Sequence, residues 1–473
     1  MHDDFKRYFN PEEFREQGHK LIDQLADYLN SVLSGSDQPV LPWESPEEQY
    51  DFWYRLFEDK TEMRAEEFYS EILKRSIHLH HPRYIGHQVV PPLPQSALTE
   101  LVEALTNNSM AVYEVGPAST AIEKVVIDWL KQKLGYGEEA NGLITSGGSL
   151  GNLTALLAAR QDAKGRDVWK NGLDGKLAIM VSSESHYSNE RAARIMGLGD
   201  ENIIQLPVKD HKIDVDQLPH ALEKATASRK KVFALLANAC STATGTYDPL
   251  VEIAEFCRKH KIWLHVDAAH GGPAIFSKKY RHFLEGIDNA DSIVLDFHKM
   301  MLTPALTTAV LFRKGETSYQ SFQQRADYLL SDENQWFDIA KRSIECTKKP
   351  MALKVYLMIK TYGEKLFTRY IEHTFHLARE FADLVKNNKN FELATEPESN
   401  IVCFRLLKEG YQQEELNRMN AGIREKIIKN GKYYIVQTSI GNKLFLRLSI
   451  MNPFTSLPIL QELLKEIESY AKS

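Results

Sequence analysis

Cysteine is scarce in this chain. Its four residues, Cys240, Cys257, Cys346 and Cys403, are widely scattered and form no C-x-x-C pair. That excludes a disulfide framework and the common zinc-site spacings. An excess of positive charge is also missing. Lys and Arg number 58 against 64 Asp and Glu, a net charge of -6. No global field therefore draws the chain to nucleic acid or to an anionic membrane. The basic pairs Lys341-Arg342 and Lys348-Lys349 are too short to change this. No apolar run is long enough to span a bilayer, and Met1 to Arg7 hold no apolar signal core. A reducing, cytoplasmic setting is the expectation. The G-x-x-x-x-G-K-[ST] pattern of a nucleotide P-loop is absent. Internal repeats and low-complexity tracts are absent too.

What is present is ordinary globular composition, 43% hydrophobic and 26% charged. A chain of 473 residues is too long for one core, so two or three packed units are expected. Residues 11–34 read as a helix, with Phe14, Leu21, Ile22, Leu25, Leu29 and Val32 at helical spacing. Gly35 stops it, and Pro39 and Pro42 prevent its resumption. A second helix is expected over 65–77, leading into a stretch rich in His and Pro. From about residue 140 the pattern alternates. Strand-like runs occupy 142–145, 176–183, 202–206, 232–239, 262–267, 292–298 and 308–313. Helical patterns fill gaps at 150–163, 215–226, 249–260 and 280–287. Near-continuous apolar strands separated by helices predict an α/β unit with a mostly parallel central sheet flanked by helices. Residues 318–349 are polar and irregular, a long helix over 350–388 follows, and the remainder predicts a small C-terminal α+β domain. The expected division is 1–85, 86–350 and 351–473.

Two strand ends carry the chemistry. The run Ser292 to Phe297 ends in His298-Lys299, and the run Ile262 to Val266 ends in Asp267. Their separation suits one strand–helix–strand crossover, which makes them spatial neighbours. An amine beside a buried acid suggests pyridoxal phosphate: the lysine holds it as a Schiff base and the acid keeps its ring nitrogen protonated. Small residues, Ala268-Ala269-His270-Gly271-Gly272, follow Asp267 and leave room for a cofactor. The segment Thr145-Ser146-Gly147-Gly148-Ser149 joins a strand to a helix start, an arrangement that can cup a phosphate on free N–H groups. A tight turn with Ser149 as N-cap is the other reading of it. His186, just past a strand, could stack on a planar ring. Thr242 could hydrogen-bond the cofactor or shape a turn. His78, His80, His81 and His87 lack the H-x-x-x-H spacing and a following carboxylate, so no metal is expected. Lining a substrate pocket and loop packing both stay open for them.

Together these motifs resemble the group II pyridoxal-phosphate-dependent amino-acid decarboxylases, over nearly the whole chain. The carrying residues are Glu13-Phe14-Arg15 with Asp27-Tyr28-Leu29, Pro117-Ala118 to Glu123 with Asp128-Trp129-Leu130, Trp263 to Ala269, and His298-Lys299. The resemblance implies the fold type I, aspartate-aminotransferase-like architecture and a homodimer with the N-terminal helices packed on the partner. It implies pyridoxal 5'-phosphate as cofactor and assigns Lys299 to its covalent attachment. Asp267 would contact the pyridinium nitrogen and His186 would stack on the ring. Gly148 and Ser149 would bind phosphate, with Thr242 and His298 near the cofactor. The implied reaction is decarboxylation of an L-amino acid to its amine, with aromatic substrates favoured by family breadth. Aspartate, glutamate and 2,4-diaminobutyrate are alternatives, as are an aldehyde synthase and a non-catalytic cofactor-binding relative. His81, Tyr84, His87, Trp336 and Lys349 are the candidates for a substrate pocket.

Two departures stand out. The family's mobile loop after the lysine strand carries a tyrosine thought to protonate Cα. Here residues 328–337 look shortened, with Tyr328 before the tip and Trp336 nearer to it. An arginine pair common after that loop is Lys348-Lys349 here, and lysine cannot reproduce a planar bidentate contact.

Overall fold

Asn10 accepts a hydrogen bond from the Glu12 N–H, and Pro11 opens the first helix, α1 (Pro11–Leu33), at the position where its missing N–H costs nothing. The same logic starts α2 (Pro46–Glu58), where Ser45 and Glu48 close a capping box. A third helix, α3, covers Ala65–Arg75. The computed structural model describes residues 5–35, 38–164, 168–173, 176–322, 335–337 and 339–470. The chain divides into two compact units. One comprises Met1–His87, Asp383–Ala394 and Cys403–Ser473; the other comprises Gln88–Ala382 and Thr395–Val402.

The first unit holds α1 to α3, two later helices (Gln413–Asn430 and Leu457–Tyr470) and strands of a four-stranded sheet. Val32 is the only buried residue of α1, while Phe14, Ile22 and Leu25 stay exposed. An amphipathic helix with its apolar stripe uncovered has not buried that stripe within its own unit.

The second unit is built on a seven-stranded sheet. Its strands are β1 (Asn141–Thr145), β2 (Lys176–Ser182), β3 (Ile203–Leu206), β4 (Lys230–Asn238), β5 (Trp263–Asp267), β6 (Ser292–Asp296) and β7 (Thr308–Phe312), in the order β1-β7-β6-β5-β4-β2-β3. Strand β7 runs antiparallel to β1 and β6, and the other described pairings are parallel. Strands β5, β6 and β7 are buried along their whole length, which is why they read as unbroken apolar runs rather than alternating ones. Helices α4 (Pro94–Thr106), α5 (Pro117–Lys133), α6 (Gly148–Lys164) and α7 (Tyr187–Ile195) belong to this unit. The expected mostly parallel sheet with helices is the architecture found, and the reversed β7 makes it mixed.

Two expectations about helices need correction. Residues 280–287 form no α-helix but two 3₁₀ turns, Arg281–Leu284 and Ile287–Asn289, on either side of Gly286. Gly286 has φ +89°, and a Cβ there would lie 2.9 Å from the Val251 nitrogen, so the backbone must bend where the helix would continue. The expected helix over 350–388 is two helices, Ala352–Tyr362 and Glu364–Lys386, broken at Gly363. Helix α7 was not expected, because it is short and polar. Among the described residues no helix is long and apolar enough to cross a membrane.

Candidate active site

Parallel strands present their carboxyl ends at one edge of the sheet. Thr145, Ser182, Asn238, Asp267 and Asp296 all end strands there, and the reversed strand β7 begins there at Thr308. A cavity of about 270 Å³ opens at this edge, near the lower end of the range for small-ligand pockets. Gly148, Ser149, His186, Thr242, Asp267, His298 and Lys299 all line it. Seven positions spread across 152 residues of sequence thus share one cavity.

Asp267 is buried at the end of β5. Its Oδ1 accepts from the Ala269 N–H at 3.2 Å and its Oδ2 from Asn152 Nδ2 at 2.8 Å. Behind it runs a relay that the sequence did not reveal. Trp263 Nε1 lies 2.8 Å from Ser292 Oγ, which lies 2.8 Å from His265 Nδ1. His265 Nε2 lies 3.0 Å from Asn152 Oδ1. Indole N–H can only donate, so the Ser292 hydroxyl donates onward to Nδ1, and Nε2–H donates to Asn152 Oδ1. The Asn152 amide is thereby oriented with its NH₂ toward Asp267 and Ser188 Oγ. Burial pushes the His265 imidazole down to about 4, so it stays neutral, as this polarity requires. A histidine inside a buried strand and an asparagine inside an apolar helix were the signals available in sequence.

His186 caps α7. Its Nδ1 accepts from the Ser188 N–H at 3.3 Å and sits 2.7 Å from Ser188 Oγ. Burial lowers its basicity and keeps the ring neutral. His298 is anchored through Nδ1, which accepts from the Thr307 N–H at 3.1 Å.

Lys299 Nζ lies 2.9 Å from Asp296 Oδ2. Asp296 is a second buried carboxylate in the cavity that sequence analysis did not single out. Burial opposes charge on both groups. The ion pair outweighs it, holding the lysine above and the aspartate below their ordinary ranges. Thr308 Oγ1 donates to Asp296 Oδ1 at 2.5 Å.

The turn before α6 joins β1 to the helix start at the cavity. Gly147 has φ +111°, a conformation that L side chains rarely adopt, and it lines the cavity with Gly148 and Ser149 at the start of α6, where the first N–H groups have no partner within the helix. Strand β1, which leads into this turn, is clamped from behind. Lys348 Nζ donates to Glu123 Oε1 at 2.6 Å, to Glu123 Oε2 at 2.8 Å and to the Ile144 carbonyl at 2.5 Å. Glu123 Oε1 also accepts from the Ile144 N–H at 3.0 Å. Where a planar guanidinium was missing, the ammonium forks across one carboxylate and one carbonyl.

The proposed substrate-pocket residues do not line this cavity. His81, Tyr84 and His87 belong to the first unit. There the Tyr84 ring lies flat on Tyr434 at 5.4 Å, His87 stacks more loosely on the same ring, and the His81 Nδ1 accepts from the Arg83 N–H. Trp336 is exposed with its ring edge-on to Phe337, and Lys349 is exposed. Tyr328 and the loop through residue 334 lie outside the described residues. Among those described, no His, Cys, Asp and Glu cluster could hold a metal.

The donor set suits pyridoxal 5'-phosphate: one amine, one buried carboxylate with a fixed partner, and a glycine turn at a helix start, all facing one cavity. Comparison with known proteins agrees. The description "Pyridoxal-dependent decarboxylase conserved domain" matches residues 59–407. The chain is 32% identical to an L-2,4-diaminobutyrate decarboxylase of Acinetobacter baumannii, covering 85% of this chain and 82% of that one. It is 28% identical to an aromatic-L-amino-acid decarboxylase of Bacillus atrophaeus, covering 98% and 96%. Among solved structures, it is similar to the glutamate decarboxylase domain of a diaminobutyrate-pyruvate transaminase and L-2,4-diaminobutyrate decarboxylase from Vibrio parahaemolyticus. The TM-score is 0.84 at 26% identity, covering 95% of each chain.

Proposed function

The chain belongs to the pyridoxal-dependent decarboxylase family, and from that premise we propose that Lys299 carries the cofactor while Asp267 holds its ring nitrogen. The reaction is cleavage of the Cα–carboxylate bond of an L-amino acid to give CO₂ and an amine. The observation that carries the assignment is that Lys299 and Asp267 face one cavity from the ends of neighbouring strands.

Bound there, pyridoxal 5'-phosphate supplies an electron-withdrawing ring that accepts the electron pair left when CO₂ departs. The residues do the rest. Asp267, braced by Asn152 and the Ala269 N–H, offers a buried carboxylate to the ring N–H. The neutral His186 imidazole offers a flat face without adding charge. The free N–H groups of Gly148 and Ser149 at the start of α6 take the phosphate. Thr242 and His298 complete the cofactor contacts. Lys299 would be the residue that holds the cofactor covalently and that a substrate amine would replace.

For the substrate we place L-2,4-diaminobutyrate first. The cavity lining includes, among the described residues, no Phe, Tyr or Trp. The Acinetobacter and Vibrio relatives are both named for that substrate. An aromatic amino acid, as in the name of the Bacillus relative, is the second reading.

The protein is proposed to act as a homodimer in the cytoplasm. Exposed Leu98, Leu101, Val102 and Leu105 on α4, and Phe14, Ile22 and Leu25 on α1, support the dimer. None of the four cysteines is disulfide-bonded, in keeping with a reducing compartment.

The test is a product-resolved panel of L-amino acids with the purified chain and cofactor. Diaminobutyrate should give CO₂ and 1,3-diaminopropane. Aldehyde, ammonia and peroxide would replace the amine reading with the aldehyde-synthase one. No turnover with cofactor bound would point to a non-catalytic relative. Lys299→Ala should abolish the visible band of lysine-bound cofactor, and its survival would sink the assignment.

A further inference from the structure

We infer that Asp296 is the resting partner of Lys299: it holds the lysine as an ammonium whenever the lysine is not attached to the cofactor, and so opposes attachment. This rests on Lys299 being the cofactor lysine. Asp296 acts through Lys299 and is a positioning residue.

Three observations carry it. Asp296 Oδ2 lies 2.9 Å from Lys299 Nζ, with the carboxylate almost fully buried. Its only other ion-pair candidate among the described residues is His298 Nε2, at 3.7 Å. The carboxylate also sits against the cup itself: a Cβ on Gly148 would lie 3.3 Å from both Asp296 oxygens. It therefore lies beside the electropositive start of α6, the place proposed for the phosphate.

The chemistry follows. Attack on an aldehyde needs the nitrogen lone pair, so the ammonium first gives up a proton to solvent. Nitrogen then bonds to the carbonyl carbon, and the carbonyl oxygen leaves as water. Asp296 stabilises the species that cannot attack. After attachment the nitrogen can no longer offer three N–H groups, and the carboxylate is left beside an anionic phosphate. Both effects favour release of the lysine. They weaken cofactor retention and ease displacement of Lys299 by a substrate amine.

The experiment compares dissociation constants of pyridoxal 5'-phosphate and of pyridoxal, which lacks the phosphate. Both are read from the visible band of the full chain, wild type against Asp296→Asn. Removing the charge should tighten both ligands, by roughly tenfold or more for pyridoxal 5'-phosphate, the scale of one charge-assisted contact. The gain should be larger for the phosphorylated ligand. Asp296→Ser should change both constants in the same direction, and it serves if the amide variant does not fold. Equal or weaker binding of both ligands overturns the inference. Tightening of pyridoxal 5'-phosphate alone overturns the part about Lys299. A wild type that forms no lysine-dependent band refutes the cofactor assignment instead, which separates the two failures.

Discussion

Asn152 Nδ2 donates to Asp267 Oδ2 at 2.8 Å, and the amide can point only that way because His265 Nε2–H occupies its oxygen. The orientation of the Asn152 amide against Asp267 is thus set from Trp263 and Ser292, behind the sheet edge. A carboxylate at position 152 could not donate and would face Asp267 with like charge. Asn152→Asp should therefore weaken cofactor binding and lower kcat/KM by roughly tenfold to hundredfold, the scale of a hydrogen bond to a charged group. Asn152→Ala should fall between it and wild type. Cofactor titration and steady-state kinetics check the order; an Asn152→Ala variant indistinguishable from wild type would refute the donor role.

His265 gives a pH dependence with a definite sign. Its basicity is pushed down to about 4 in the fold, against an ordinary value near 6.5. The unfolded chain binds a proton that the folded chain refuses. The stability that the neutral ring contributes is therefore complete above about pH 6.5 and is lost as pH falls toward 4, by about 3 kcal/mol. Urea midpoints measured between pH 7.5 and 5 should fall with pH. The fall should be shallower in His265→Gln, and an unchanged slope would remove His265 as the cause.

Glu123 and Lys348 are both almost completely buried. Lys348→Met leaves Glu123 as an uncompensated buried charge, with an expected loss of roughly 3–5 kcal/mol. Glu123→Leu combined with Lys348→Met should recover much of that loss. Burial lowers the basicity of Lys348 against the pull of Glu123, so neutralising both costs less than stranding either. Denaturant curves of the two single variants and the double variant give the coupling. Additive losses would mean the pair is not one unit.

The exposed stripe on α4 should close a dimer. Leu101→Asp with Leu105→Asp should shift sedimentation from dimer to monomer and cut activity, while the far-ultraviolet circular dichroism of the fold is kept. A wild-type monomer at micromolar concentration would refute the assignment.

The sheet could be read from the sequence, because β5, β6 and β7 are buried along their whole length and are built mostly of apolar residues. The candidates Lys299, Asp267 and the Gly147-Gly148 turn could be named from it too, because polar groups that end such strands, or open a helix after a glycine turn, gather at one edge. Tertiary structure alone decided the rest. Asp296 reads as an ordinary strand residue until β7 and the start of α6 bring Thr308 and Gly148 to it. Asn152 and His265 meet across 113 positions, and nothing local in either segment announces the other. Lys348 looked like a poor substitute for an arginine, yet it spans Glu123 and Ile144, 225 and 204 residues away. Hydrophobic periodicity is a local property and can be read along the chain. Which polar atom satisfies which is settled only when burial forces each one to find a partner.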